Sequence, residues 1–226
     1  TLDRSSAASD VYKRQKWDGN YTQDSIAPTL FTQLMYEIAK AAMTDELGEA
    51  GFKNLLRTRV LEGALPALIE DANSPWWDNR RTKAAESRYE IVRQAWANTL
   101  KRLQELYGTS LLDWRWGTAH TLTHGHPLGR QKPLDLLFNV GPFSVPGGRE
   151  VPNNLSANLG TAPWAVVYGP STRRVIDFAD ASEALGINPV GQSGVWLDKH
   201  YADQAERFAA GIYVPCLLYT SPSPRD

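Results

Sequence analysis

The stretch "HTLTHGHP" places three imidazoles close together, at His120, His124 and His126. Three histidines can hold zinc when their ring nitrogens converge. Gly125 and Pro127 work against one helix presenting all three, and no cysteine stands nearby to complete a tetrahedral site. Asp113 and Asp135 are the nearest carboxylate partners, at no recognised spacing. Structural, hydrogen-bonded histidines in a strand-and-turn region fit these residues better than a metal centre. A second feature is "GQSG", which carries Ser193. It falls short of the full G-x-S-x-G elbow of a serine nucleophile, and a glycine-flanked serine reads first as a tight turn. The third, "PGGREVPNN", has paired glycines but no lysine followed by Ser or Thr, so it lacks the phosphate-loop pattern. Acidic residues are interleaved with Arg and Lys, as in "NRRTKAAESRYE", the pattern of a solvated ion-paired face. No carboxylate pair stands out for glycosidase-type chemistry.

The elements that must position these residues divide the chain in two. In "WDGNYTQDSIAPTLFTQLMYEIAKAAMTDEL", Thr22 or Asp24-Ser25 can cap a helix and Pro28 suits its first turn. Leu30, Leu34, Ile38, Ala41 and Ala42 then recur at helical spacing. Residues 51–68 predict a second helix through Phe52, Leu55, Leu56, Val60, Leu61 and Leu65. After the break at Asn73, Ser74 and Pro75, a long amphipathic helix is expected over about residues 83–106, ending at Gly108. Its predicted apolar stripe is Tyr89, Val92, Trp96, Leu100 and Leu103. Beyond Gly108 prolines and glycines multiply and the period shifts toward two. "FNVGPFSVPGG" reads as a strand or extended loop. "APWAVVYGPSTRRVIDFAD" reads as a hairpin turning at Gly169-Pro170-Ser171, and "HYADQAERFAAGIYVP" as a last short helix ending at Gly211. Helices first and strands after give an α+β arrangement.

Composition bounds the function classes. The chain has 226 residues, 42% of them hydrophobic, which is enough for a core. A net charge of −1 carries no electrostatic footprint for nucleic acid. No apolar run approaches a membrane span, and the start lacks a secretory pattern. A single cysteine, Cys216, excludes an internal disulfide.

The two ends stand apart from the rest. "CLLYTSPSPRD" can be encoded from TGT CTC TTA TAC ACA TCT, whose reverse complement in a shifted frame spells Asp-Val-Tyr-Lys-Arg and opens a Gln codon. That is the run from Asp10 to Gln15. One inverted repeat, resembling the transposon end used to fragment DNA for sequencing libraries, can therefore encode both tails. Residues 1–15 and 216–226 are read as adaptor-derived and not native. The tails carry four positive and three negative charges, leaving 20 basic and 22 acidic residues in the body. The body divides into a helical segment, 16–108, and a strand-rich segment, 109–215.

Four stretches in order carry a resemblance: "WDGNYTQDSIAPTLF", "SPWWDNRRTKAAESR", "DWRWGTAHTLTHGHPL" and "RRVIDFADASEALGINPVGQSGVWLDKHYADQAERFAAGIYVP". Their order and spacing resemble the C-terminal part of the β subunit in the penicillin amidase family. These are N-terminal-nucleophile hydrolases that include cephalosporin and N-acyl-homoserine lactone acylases. The W-x-W-G-x-x-H element (Trp114, Trp116, Gly117, His120), with His126-Pro127-Leu128 after it, is the most specific part. After "GQSG", relatives usually carry Asn-Pro-x-Ser, where this chain has Val195-Trp196-Leu197-Asp198.

The resemblance implies part of a four-layer αββα fold and a parent enzyme that hydrolyses linear amides. It implies a serine at the start of the β subunit whose own α-amino group is the base, and a backbone N–H and an asparagine holding the oxyanion. It also implies a structural calcium and a periplasmic or secreted parent. Partners would be a small-molecule amide, the α subunit and the N-terminal part of the β subunit, with neither nucleic acid nor membrane. None of the nucleophile, oxyanion or calcium residues can be assigned to a position here. Ser193 and Asn153 do not take those roles, and Glu150 and Asp177 are acidic residues in the general region of a late active-site carboxylate without a firm alignment. The chain alone is expected to be inactive. Two other readings stand beside this one: a non-catalytic binding or scaffold domain on the same fold, and a metal-dependent hydrolase using His120, His124 and His126. Trp114, Trp116 and His120 are expected to join the helical segment to the strands, and the hairpin at Gly169 to feed a layered core.

Overall fold

The computed structural model describes residues 17–216. Apart from Cys216, both end segments lie outside the described residues. The chain runs through α1 (Ala27–Leu55), α2 (Val60–Glu70), a 3-10 turn (Pro75–Trp77), α3 (Arg88–Tyr107) and a 3-10 turn (Leu111–Trp114). It continues through α4 (Trp116–Ala119), β1 (His120–His124), a 3-10 turn (Leu128–Arg130), α5 (Asp135–Phe138) and β2 (Val140–Ser144). It ends with β3 (Ser156–Ala157), β4 (Trp164–Tyr168), β5 (Arg173–Asp177), β6 (Asp180–Ile187), α6 (Ala205–Ala210) and β7 (Val214–Pro215). The first half is helical and the second strand-rich, an α+β arrangement as the periodicity predicts. Among the described residues no helix is long and apolar enough to cross a membrane.

The first helix begins without the side-chain cap expected from Thr22 or Asp24-Ser25. Ile26 holds the cap position, Pro28 sits in the first turn, and the Ser25 N–H donates to the Thr22 carbonyl instead. α1 also runs further than predicted. It kinks at Gly48 (φ 68°, ψ 166°) and takes in Phe52 and Leu55. The expected helix over residues 51–68 is thus divided. A turn around Thr58 separates its two parts, the Thr58 hydroxyl donating to the Leu55 carbonyl at 2.7 Å, and Leu61 and Leu65 belong to α2.

α3 starts later than predicted because Ser87 and Glu90 form a capping box, each side chain taking the other's backbone N–H. It closes at Gly108 (φ 84°), as expected. Its predicted stripe is turned about the helix axis. The buried row is Ile91, Ala95, Thr99 and Leu103, whereas Tyr89 is 74% exposed. Small Ala95 lets α1 approach, and the buried Thr99 hydroxyl is satisfied by the Ala95 carbonyl at 2.8 Å. Leu34, Ile38, Phe52, Leu65, Trp77 and Ile91 form the centre of this helical core.

The strands form two sheets, ordered β2-β1-β4-β3 and β5-β6-β7. The predicted hairpin at Gly169-Pro170-Ser171 does not form, since β4 and β5 lie in different sheets. Both edges of β4 are taken, by β1 in parallel and β3 antiparallel, so β5 has no place beside it. The hairpin is instead β5–β6, with Asp177 opposite Asp180 and the Asp177 carboxylate accepting from the Ala179 N–H at 2.9 Å. The last helix ends at Gly211 (φ 72°), as predicted. Leu122, Val145, Leu155, Ile187 and Phe208 make the core between the sheets and α6.

Candidate functional site

The W-x-W-G-x-x-H element lies where the two halves meet. Trp114 is buried and donates its indole N–H to the Gly108 carbonyl at 2.9 Å, tying the element to the end of α3. Trp116 donates its indole N–H to the Gly147 carbonyl at 2.8 Å. Its ring stacks on His120 with centroids 4.7 Å apart, and it meets Trp164 at 5.4 Å. The incoming segment before α1 is clamped to the same place. The Trp116 and Gly117 N–H groups donate to the Ser25 and Gln23 carbonyls, and the Gly147 N–H donates to the Tyr21 carbonyl. Gly117 suits this close approach: a Cβ there would lie 3.1 Å from Gln23 Cβ and 3.2 Å from Ser144 Cβ, so these neighbours would have to give way. Leu30, Leu103, Trp114, Trp116, Ala119 and Trp164 then pack as one cluster spanning helices and strands. These contacts are the join that the sequence assigned to Trp114, Trp116 and His120.

His120 is fully buried, with Nδ1 2.9 Å from the Trp164 carbonyl. That partner is an acceptor, so Nδ1 carries the proton. Burial pulls the imidazole below its ordinary range, and the backbones of Trp164 and Leu155 only partly oppose this. The result is a buried ring held against the Trp164 backbone, with no hydrogen-bond partner for its Nε2 among the described residues. His124 is likewise pulled down by burial, and its ring meets Phe208 at 5.8 Å. His126 stacks on Phe138 at 5.0 Å and accepts from the Leu128 N–H. The three rings therefore have three separate settings. Among the described residues no group of three His, Cys, Asp or Glu side chains could hold a metal ion, so the geometry does not support the three-histidine reading, and neither Asp113 nor Asp135 completes it.

Ser193 behaves as a turn residue. Its hydroxyl accepts from the Val195 N–H at 3.2 Å and its own N–H donates to the His200 carbonyl at 3.1 Å. The His200 ring is engaged by Asp203 at 2.8 Å. Gly191 is the reason for the motif's small residues: a Cβ there would fall 1.6 Å from the His200 carbonyl oxygen. Asn153 accepts from the Arg173 guanidinium at 3.0 Å. Glu150 pairs with Arg59 at 3.1 Å, and Asp177 holds the β5–β6 turn. Ser193, His200 and Asp203 line one shallow hollow, but among the described residues no hydrogen bond joins the Ser193 hydroxyl to the His200 ring, so no nucleophile-and-base pair is formed.

Sequence reasoning passed over Gln33. It is fully buried, donates to Glu37 at 2.8 Å, and its carbonyl oxygen accepts from the Ala162 N–H at 2.8 Å and the Thr161 hydroxyl at 3.2 Å. The signal was its place between Leu30 and Leu34 on the buried face of α1. Arg173 was passed over too. It lies 4.0 Å over the Phe208 ring and donates to the Phe208 carbonyl.

The family model described as penicillin amidase matches residues 2–224. The acyl-homoserine lactone acylase QuiP of Pseudomonas aeruginosa is 27% identical over 227 aligned positions, covering 92% of this chain and 27% of that protein. The protein of the same name from Pseudomonas fluorescens is 25% identical, over 92% of the chain and 25% of its own length. That of Pseudomonas syringae pv. tomato is 25% identical, over 94% and 26%. The chain spans about a quarter of the length of these curated relatives. With a family match running almost from end to end, and the W-x-W-G-x-x-H element built into the junction that joins its two halves, this chain belongs to the penicillin amidase family.

Proposed function

We propose that this chain is the structural C-terminal part of an acylase that hydrolyses linear amides through an N-terminal serine. In this reading the serine's own α-amino group takes the hydroxyl proton, an acyl-enzyme forms and water releases the acid. The observation that carries it is the family match over residues 2–224 in a chain about a quarter as long as its relatives, which are named acyl-homoserine lactone acylases. The buried His120, held against the Trp164 backbone, supports a scaffolding role for the element that the family shares. The fragment contributes to a four-layer αββα fold, and its partners are the α subunit and the preceding part of the β subunit. The described residues do not fit a calcium site, so the calcium expected by resemblance is assigned to the preceding polypeptide, and no step is routed through it here. The parent is exported to the periplasm or beyond.

The test is an assay of the 226-residue chain and of the complete reading frame on a chromogenic phenylacetyl amide and on an N-acyl-homoserine lactone. Turnover is expected from the complete protein alone. Turnover by the short chain above a heat-killed control would overturn the assignment of chemistry to the missing part. A complete, processed protein silent on every amide tried would overturn the enzyme reading.

A further inference from the structure

A concave apolar surface lies between α1, α2 and the segment leading from β2 to β4. It encloses about 310 Å³. Phe31, Met35, Tyr36, Leu56, Ile69 and Leu159 line it and are each left half-buried. An apolar cavity of about 150 Å³ is enough to take up benzene, so this groove has room for two ring-sized groups. It is too large and too apolar to be left to ordered water, which needs polar partners.

The rim says what kind of occupant fits. Its charged residues are already matched: Arg149 pairs with Glu62, and Glu150 pairs with Arg59 at 3.1 Å. A ligand with a carboxylate or phosphate head would find no free guanidinium among the described lining residues. An uncharged apolar group meets no such cost. A second copy of the chain fits poorly as well. A two-fold contact brings the same patch of both subunits together, and two hollows facing each other leave a void. The aligned relatives extend far beyond this chain, which covers only 27% of the first of them. The material to fill the groove therefore exists in the remainder of the polypeptide.

We propose that this groove seats an uncharged apolar segment from the remaining part of the parent polypeptide, with the two ion pairs closing around it. The proposal rests on the chain being part of a longer protein and not on the amidase reading, so its readout is accessibility and not catalysis.

The experiment places Met35→Cys in the 226-residue chain, there in a Cys216→Ser background, and in the complete protein. Maleimide modification of position 35 is followed by peptide mass spectrometry, with Tyr89→Cys on the exposed side of α3 as the control. Modification of Met35→Cys is expected to be at least tenfold slower in the complete protein, with Tyr89→Cys equal in both. Ile69→Cys, on α2, gives the same comparison should Met35→Cys fail to fold by circular dichroism. Equal rates at the groove position in the two proteins would overturn the proposal. So would labelling of the short chain that slows as its concentration rises, which would name a second copy as the occupant. A small molecule retained in native mass spectrometry, whose removal restores fast labelling of the complete protein, would overturn it in favour of a ligand.

Discussion

The three-helix half and the β5–β6 hairpin treat their apolar residues in opposite ways. Along α1, Leu30, Leu34, Ile38 and Ala42 are all buried against α3 or the strands. Along β5, Val175 and Ile176 point to opposite faces, as neighbours in a strand must, yet both are exposed, and Phe178 at the turn is 95% exposed. A half-buried strand hides one face. This one hides neither. The helices bury their apolar rows largely on one another, while the hairpin presents two faces and, among the described residues, an edge on β5 with no partner strand, the kind of edge that invites pairing with another chain. The lesson is that burial in this chain tracks how locally each element finds its partners.

The sharpest way to test that contrast is at the junction. Trp116→Ala removes a buried ring, its stacking on His120 and its bond to Gly147. The expected loss is about 3–5 kcal/mol in urea unfolding; a loss under about 1 kcal/mol would mean that the halves are held together elsewhere. Next comes Gln33→Leu, which strands the Ala162 N–H and Glu37 without their partner. It should cost about 1–3 kcal/mol, and a neutral result would show the α1–strand contact to be purely apolar.

Acid supplies a third test. His120 and His124 titrate below their ordinary range in the folded chain because burial disfavours the charged ring. The unfolded chain binds these protons more readily. Stability is therefore full above about pH 6.5 and falls as pH drops below it, by at most about 1.4 kcal/mol per pH unit for each ring. His120→Phe or His124→Phe should flatten that slope, and an unchanged slope in both would assign acid sensitivity to other groups. The smallest effect is expected at the hairpin. Phe178→Ser should alter unfolding free energy by no more than about 0.5 kcal/mol while reducing self-association in sedimentation. A larger destabilisation would show that the tip is packed after all.

Much of the helical structure, in both halves, was legible in the sequence because its signals are local. The i, i+4 spacing from Leu30 to Ala42 and the glycine stops at Gly108 and Gly211 were all read correctly. Some misses were local, such as the turn at Thr58 that divides the helix expected over residues 51–68 and the Ser87–Glu90 capping box that delays α3; the others depended on partners distant in sequence. Tyr89 belongs to an apolar stripe by period alone, but the row that meets α1 is set by small Ala95. β4 and β5 look like a hairpin in sequence, but β4 had already been claimed on both edges by β1 and β3. The same holds at the site. The Trp114–His120 element was recognisable as a unit, and its joining role followed. Gln33 could be placed on the buried face of α1, but its role could not be read because the strand-side partners lie 128 and 129 positions away. Histidines separated by turn residues likewise could not reveal that each would face a different neighbour.

The parallel pairing of β1 with β4 has a further consequence, in time. His120 sits opposite Trp164, so the central pair of the larger sheet cannot close until the intervening loop has been made and gathered. Gathering it costs loop entropy before any contact repays it. During synthesis α1, α2 and α3 can collapse on one another while that sheet is still incomplete. For that interval the indole of Trp116 waits without Trp164, on a preformed helical platform onto which the later strands must dock.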